Sequence, residues 1–229
     1  MGVLTAPSKG ELLLKSAVIF DLDGVIVSTD EYHFRAWSRM AEVEGFPFDR
    51  QVNEFLRGVS RMESLEIILQ NAGVTLGEEE KSELCERKNA YYKEMLGELT
   101  PSDILPGVLR VLEELSGMGI PVAIGSSSKN AAEILGRIGL GESFDIVVDG
   151  NDIARSKPDP EVFLLAAEKL GKSPADCVVV EDAESGVEAA IRAGMMVVGV
   201  GSAAKDPRVC QGLPDLSGFD AGKVLGQLR

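Results

Sequence analysis

The chain is poor in several residue types: it has one histidine, one tryptophan and three cysteines among 229 residues, and only 5% aromatic residues. A single histidine, His33, cannot build a histidine-rich metal centre. Cys85, Cys177 and Cys210 stand far apart with no Cys-x-x-Cys pair, so neither a zinc cluster nor a disulfide framework is indicated. Cys177 opens an apolar run, as a small core residue does, and such cysteine usage fits a reducing cytoplasm. Basic residues are also scarce, with 23 Lys and Arg against 37 Asp and Glu and a formal charge of -14. That balance argues against nucleic-acid or anionic-membrane partners. An anionic small molecule would need local cations and a metal ion to offset it. No apolar run reaches membrane-spanning length. The stretch Glu11-Leu12-Leu13-Leu14-Lys15 is too short, and charged at both ends, for a secretory segment. After Met1-Gly2, Ala6 stands where a myristoylation pattern has Ser or Thr. The expectation is a cytoplasmic monomer acting on a small molecule.

What the chain does contain is core-forming material: 45% of its residues are hydrophobic, enough for one large domain or a domain with an insert. Apolar runs at 18–20, 122–125, 144–148, 178–180 and 197–200 read as strands. They alternate with helical patterns at 107–118, 131–138, 161–170 and 186–193. The alternation predicts an α/β fold, a Rossmann-like parallel sheet with helices on both faces, whose ligand sits at the carboxyl ends of the strands. Residues 29–101 break the pattern with helical stretches at 32–44, 52–56, 61–71 and 78–96, and predict an inserted helical domain. Ser60-x-x-Ser64 and Thr75-x-x-Glu78 are candidate helix starts, and Gly45, Gly73 and Gly97 candidate stops. The core domain would then comprise 16–28 and 102–229, preceded by a flexible extension at 1–15. From about Pro207 onward no functional signal is visible.

Four segments carry chemistry. Ala17-Val18-Ile19-Phe20-Asp21-Leu22-Asp23-Gly24 ends an apolar run in two carboxylates one residue apart, which an extended chain can point the same way with the Leu22 backbone exposed between them. That arrangement suits a nucleophile beside an acid/base, although Asp-x-Asp-Gly alone is as readily a strand end and turn. The run 122–125 leads into Ser126-Ser127-Ser128-Lys129-Asn130, hydroxyls and a cation able to hold a phosphate. Ser156-Lys157-Pro158-Asp159-Pro160 offers a lysine fixed by proline, able to offset negative charge. The run 177–180 leads into Glu181-Asp182, an acidic pair suited to a hard cation.

In order, and at strand ends, these segments resemble the four motifs of the haloacid dehalogenase-like phosphotransferase superfamily. Asp30 to Trp37, Leu56 to Arg61 and Ser126 to Asn130 are similar to its β-phosphoglucomutase branch, and the resemblance runs from about Ala17 to Gly201. It implies a helical cap closing over the site, with hinges near Thr29 and Thr100-Pro101-Ser102. It further implies that Asp21 is the nucleophile, Asp23 the acid/base, and Ser126 and Lys157 the stabilisers of the transferring phosphoryl group. Mg²⁺ would be held by Asp21, the Asp23 carbonyl, Glu181 and Asp182. Substrate would be held by Leu22, Thr29 and His33, by Gly58, Val59, Ser60, Arg61 and Ser64, by Lys88, and by Ser127, Ser128, Lys129 and Asn130. Arg61 would grip the second phosphate, and His33 would hydrogen-bond Asp23 on cap closure. The implied reaction interconverts β-D-glucose 1-phosphate and D-glucose 6-phosphate through an aspartyl-phosphate and β-glucose 1,6-bisphosphate. A Mg²⁺-dependent sugar-phosphate phosphatase on the same core, or a catalytically silent sugar-phosphate-binding protein, are the alternatives.

Overall fold

A computed structural model describes residues 16–56 and 59–228; the extension expected at 1–15 lies outside them. Strand β1 (Ala17–Phe20) is followed by four helices, α1 (Asp30–Glu44), α2 (Arg50–Glu54), α3 (Arg61–Ala72) and α4 (Glu78–Leu96). The α/β alternation then begins: α5 (Val108–Gly117), β2 (Val122–Gly125), α6 (Ala131–Arg137), β3 (Ile146–Val148), α7 (Glu161–Lys169), β4 (Cys177–Glu181), α8 (Glu184–Arg192) and β5 (Met196–Val200). A last strand β6 (Gln211–Leu213) and helix α9 (Ala221–Leu225) complete it.

The strands form one parallel sheet in the order β3-β2-β1-β4-β5-β6. Their side chains alternate between two buried cores: Val18, Phe20, Ile124, Val178 and Val180 fill one face, and Ala17, Ile19, Ala123, Val179 and Val197 the other. Burial on both faces explains why each strand reads as an unbroken apolar run. Strand order reverses between β1 and β4, and in doubly wound sheets that switch point opens a crevice at the carboxyl ends of the strands. Asp21, Glu181 and Asp182 lie there.

The insert has its own core of Trp37, Met40, Leu56, Leu65, Ile68, Leu69, Leu84 and Cys85. Its helices show the local signals expected of them. Helix α3 begins in a reciprocal capping box of Ser60 and Glu63, and α1 and α3 stop at left-handed Gly45 and Gly73. Two linkers join cap to core and pair with each other: Val27 bridges Ile104, and the Leu105 amide donates to the Ile26 carbonyl at 2.9 Å.

Several details differ from expectation. Helix α2 covers Arg50–Glu54 where 52–56 was expected, because the Asp49 carboxylate accepts from the amides of Gln51 and Val52 and starts the helix earlier. Helix α4 is capped at Gly77 rather than Thr75, because the Glu80 carboxylate reaches back to accept from the Gly77 amide (2.9 Å) and three glutamates suit the first turn. The strand expected from 144 starts at Ile146, since Phe144 turns inward to pack edge-on against Phe20. The segment beyond Pro207 adds β6 and α9 to the core. Among the described residues no helix is long and apolar enough to cross a membrane.

Candidate active site

Strand β1 ends one residue before Asp21, whose amide donates to the Val180 carbonyl of β4 at 2.9 Å, so the ladder itself fixes the carboxylate at the sheet edge. Lys157 arrives from the other side of the crevice. Its loop is held by the Glu161 carboxylate, which accepts from the amides of Ala154 and Arg155 at 3.0 Å each, and its peptide bond to Pro158 is cis. The buried ammonium bonds Asp21 Oδ1 at 2.5 Å and Glu181 Oε1 at 2.7 Å. The other Glu181 oxygen accepts from the amides of Asp182 (2.6 Å) and Ala183 (2.8 Å), so both its oxygens are engaged. Among the described residues, no hydrogen bond reaches the Asp182 carboxylate.

Two glycines make room for this cluster. A Cβ on Gly186 would lie 1.7 Å from Glu181 Oε1, and one on Gly24, which has φ +79°, would lie 2.2 Å from Asp182 Oδ2. Asp21, Glu181 and Asp182 each offer an oxygen within 4.8 Å of the others. Three carboxylates against one ammonium leave an excess of two negative charges in a half-dry crevice. All donors are hard oxygens, so the cluster fits a divalent hard cation such as Mg²⁺ and has nothing to attract a soft one. Without such an ion, burial pushes the Asp21 carboxyl up to about 7 despite the neighbouring Lys157 charge. It pushes Asp182 up to about 8, with Glu181 and Asp21 adding to the rise. For Lys157 the penalty of burial is outweighed by Asp21 and Glu181, which hold it charged.

Asp23 stands at the start of the first linker. Burial raises its carboxyl to about 6, against the pull of hydrogen bonds from Thr29. Its Oδ1 accepts from the Thr29 amide at 3.1 Å and from the Thr29 hydroxyl. That hydroxyl in turn accepts from the Tyr92 phenol of α4 at 2.9 Å. The hydrogen bond expected from His33 to Asp23 is therefore not the one this conformation makes. Thr29, six residues on, folds back over the linker and takes the carboxylate, while His33 Nδ1 meets the Lys88 ammonium nitrogen at 2.8 Å. The His33 ring stacks on Tyr92 with centroids 4.2 Å apart, and Lys88 lies over the rings of Trp37 and Tyr92. Burial, with Lys88 and Arg61 nearby, holds His33 well below its ordinary value, and burial with Arg61 does the same to Lys88. Arg61, at the start of α3, has no ion pair among the described residues, and burial lowers its pKa.

The loop after β2 is built on its own polar groups. The Ser128 amide donates to Ser126 Oγ (3.1 Å) and the Asn130 amide to Ser128 Oγ (3.2 Å). Ser126 is buried, and the Ser127 hydroxyl is buried without a partner among the described residues. Lys129 is exposed.

Of the residues singled out from sequence, the structure brings Asp21, Lys157, Glu181 and Asp182 into one cluster and joins Asp23 to Thr29. The Leu22 side chain is buried in the core, and its carbonyl accepts from Ile26 and Val27 in the linker. Ser60 spends its hydroxyl on the Glu63 amide (3.3 Å), Ser64 is buried one turn on, and Val59 is half-buried beside them. Gly58 lies outside the described residues. Tyr92 and Asn89 were missed. Both stand on the helix that carries Lys88, Tyr92 one turn along from it, and that spacing was the available signal.

Comparison with known proteins follows the same lines. A family model for haloacid dehalogenase-like hydrolases matches residues 15–194. The β-phosphoglucomutase of Bacillus subtilis is 50% identical over 187 residues, 81% of this chain and 83% of that protein. A phosphorylated carbohydrates phosphatase of Thermotoga maritima is 37% identical over 182 residues, 78% of this chain and 82% of its own. The crystal structure of a β-phosphoglucomutase from Clostridium difficile superposes with a TM-score of 0.87 at 37% identity, covering 92% of this chain and 96% of that one. The family match takes in every strand from β1 to β4 together with the whole cap, and the chain belongs to the haloacid dehalogenase-like hydrolase family.

Proposed function

We propose that this protein is a phosphomutase interconverting β-D-glucose 1-phosphate and D-glucose 6-phosphate through β-glucose 1,6-bisphosphate. The observation that carries the reading is a second cation, Arg61, on the cap, with no ion pair among the described residues, beside the Lys157 that the core supplies to the nucleophile. Lys157 serves the nucleophile from the core. Arg61, half-buried and without an ion pair among the described residues, stands on the cap close enough to influence Lys88 and His33. A phosphatase needs one phosphate site, whereas a mutase must hold a second phosphate while the first transfers. A guanidinium is suited to that task because it grips two phosphate oxygens through parallel bonds. Identity to the Bacillus subtilis mutase, higher than to the Thermotoga maritima phosphatase, supports the same reading.

In this reading the Asp21 carboxylate attacks the C1 phosphorus of bound β-glucose 1,6-bisphosphate, and glucose 6-phosphate is the leaving molecule. The phosphorus–oxygen bond to the sugar breaks, and Asp23 delivers its proton to the departing sugar oxygen. A carboxyl raised to about 6 is part-protonated near neutrality and can serve in both directions. In the other half-reaction Asp23 takes the proton of the 6-hydroxyl of β-glucose 1-phosphate, whose oxygen attacks the aspartyl-phosphate, forming the bisphosphate and freeing Asp21. Ser126, the Ser127 amide and Lys157 stabilise charge on the transferring oxygens. Mg²⁺, bound by Asp21, the Asp23 carbonyl and Asp182 with Glu181 assisting, would supply electrostatic stabilisation of the phosphoryl group and orient it. Asp21 and Lys157 are buried, and that limits the access of water, the competing acceptor, to the aspartyl-phosphate. The three cysteines are free thiols, in keeping with a cytoplasmic setting, and a monomer completes the reading.

The deciding experiment incubates the protein with Mg²⁺, β-glucose 1-phosphate and a trace of the 1,6-bisphosphate, following products by ³¹P NMR. Glucose 6-phosphate forming well ahead of inorganic phosphate is the expected result. Inorganic phosphate and glucose alone would make the protein a phosphatase, and no turnover would favour a binding role.

A further inference from the structure

The loop 126–130 is anchored on one side by the core. Ser126 N donates to the Val148 carbonyl (3.0 Å), Gly150 N to the Ser128 carbonyl (3.1 Å), and Asn151 Nδ2 to the Lys129 carbonyl (3.0 Å). On the other side a single side-chain bond leaves the core altogether: Asn130 Nδ2 donates to Asn89 Oδ1 of helix α4 at 3.1 Å, across 41 residues of sequence. The loop's internal bonds extend this contact inward, since the Asn130 amide is held by Ser128 Oγ and the Ser128 amide by Ser126 Oγ. Three bonds in series thus run from the buried Ser126 hydroxyl, at the carboxyl end of β2, to a half-buried asparagine on the cap. Asn89 also directly follows Lys88, whose ammonium meets His33, so the helix that touches the cap network touches this chain of bonds as well. Asn130 is itself buried, so in this conformation its amide is held in place by the cap.

We propose that Asn89 is a positioning residue, the cap-side end of a hydrogen-bond chain that fixes Asn130 and with it the Ser126–Asn130 loop for the distal phosphate. The inference rests on the mutase reading. It assigns to the α4–loop contact a task the phosphate ligands cannot perform alone, which is to make the loop's phosphate-binding shape conditional on a closed cap. When the cap lifts, Asn89 leaves, Asn130 loses its outside partner, and the loop loosens its hold on the distal phosphate.

The test is a double-mutant cycle in the full chain with Mg²⁺: Asn89→Ala, Asn130→Ala and the pair, reading KM for the 1,6-bisphosphate, turnover, and the ratio of glucose 6-phosphate to inorganic phosphate. Alanine is a good helix former, so α4 should persist, and an unchanged melting temperature confirms it. The expected result is that Asn89→Ala raises KM about fivefold, the equivalent of one neutral hydrogen bond, and lowers the product ratio. In the Asn130→Ala background the same substitution should change neither, because its partner is gone. Additive effects, or an unaltered KM and ratio in Asn89→Ala, would overturn the proposal. Should the wild-type protein release only inorganic phosphate, the mutase reading fails by itself, and the cycle on KM for bisphosphate hydrolysis still decides the role of Asn89.

Discussion

Asp23 differs from Asp21 by two positions and by its surroundings, and the surroundings divide their roles. Burial raises both carboxyls, so the difference lies in their partners: Asp21 is bonded to the Lys157 ammonium and stands in the cluster that fits Mg²⁺, and a bound divalent cation would hold it as the anion. Asp23 is paired to neutral donors, the amide and hydroxyl of Thr29, and its burial favours the protonated form. Asp23→Asn keeps an oxygen to accept from Thr29, so the linker should fold as before. What it removes is the transferable proton, and turnover should fall by about 10²–10⁴-fold. A melting temperature within a degree or two of wild type alongside that loss is the expected outcome; a comparable fall in stability would make Asp23 a structural residue. Gly186 carries the second prediction at this scale. Its missing Cβ is the space occupied by Glu181 Oε1, so Gly186→Ala must push Glu181 off Lys157. Loss of Mg²⁺-dependent activity with a folded circular dichroism spectrum is expected, and full activity would show that the carboxylate can yield without consequence. The strand-end carboxylates were legible because β1 and β4 are short and apolar and stop abruptly at charge. The partners of Thr29 and Lys88 on the facing helix were not, because Thr29–Tyr92 and His33–Lys88 join residues 63 and 55 positions apart, which no local pattern encodes.

Among the elements, α4 does the most to join the halves of the molecule. It packs along α1, and its face presents Lys88, Asn89 and Tyr92 to the core side in one turn and a half. Its neighbour α3 presents Arg61 from its first turn, where the capping box of Ser60 and Glu63 sets the direction of the chain. Arg61→Ala should therefore leave α3 intact and remove the second phosphate grip: isomerisation should drop by about two orders of magnitude or more, in keeping with the loss of a charged bidentate contact. Slow release of inorganic phosphate should persist, because Asp21 and Lys157 are untouched. Arg61→Lys should recover only part of the loss, since an ammonium offers a point charge where the phosphate needs a fork. Unchanged isomerisation in either variant would remove Arg61 from the site. Helix and strand existence followed from periodicity throughout, and the capping signals at Ser60, Gly45 and Gly73 held because they act within one turn. The range 78–96 of α4 matched, but its cap was read at Thr75 where the Glu80 carboxylate reaches backward to the Gly77 amide, and the structure of 207–228 was passed over because β6 is only three residues long.

At the scale of the whole molecule, the site concentrates the acidity that the chain carries throughout, and protons and a divalent cation compete for the same carboxylates. Without metal, Asp21 and Asp182 are raised from 3.8 to about 7 and about 8. A raised carboxyl binds more protons folded than unfolded. Its contribution to stability is therefore present in full below pH 3.8 and is lost as pH rises through the folded-state values near 7 and 8. His33 and Lys88 run the other way. Both are held well below 6.5 and 10.5 respectively, so each favours the folded state more as pH rises toward its ordinary value. The net slope of the metal-free protein mixes these opposing contributions, but the difference between metal-bound and metal-free protein at each pH isolates the carboxylates, because His33 and Lys88 titrate alike in both. Mg²⁺ must displace the protons on Asp21 and Asp182, so it should raise the melting temperature more at about pH 8 than at about pH 6. At a hundredfold excess over Kd the stabilisation by mass action is about 2.7 kcal/mol, which for a chain of this size corresponds to roughly 5–10 °C. Scanning fluorimetry with and without Mg²⁺ across this range measures it, and Asp182→Ala should abolish the metal-dependent shift at both ends. An equal shift at both pH values, or a larger one at low pH, would mean that the ion binds somewhere other than this cluster of carboxylates.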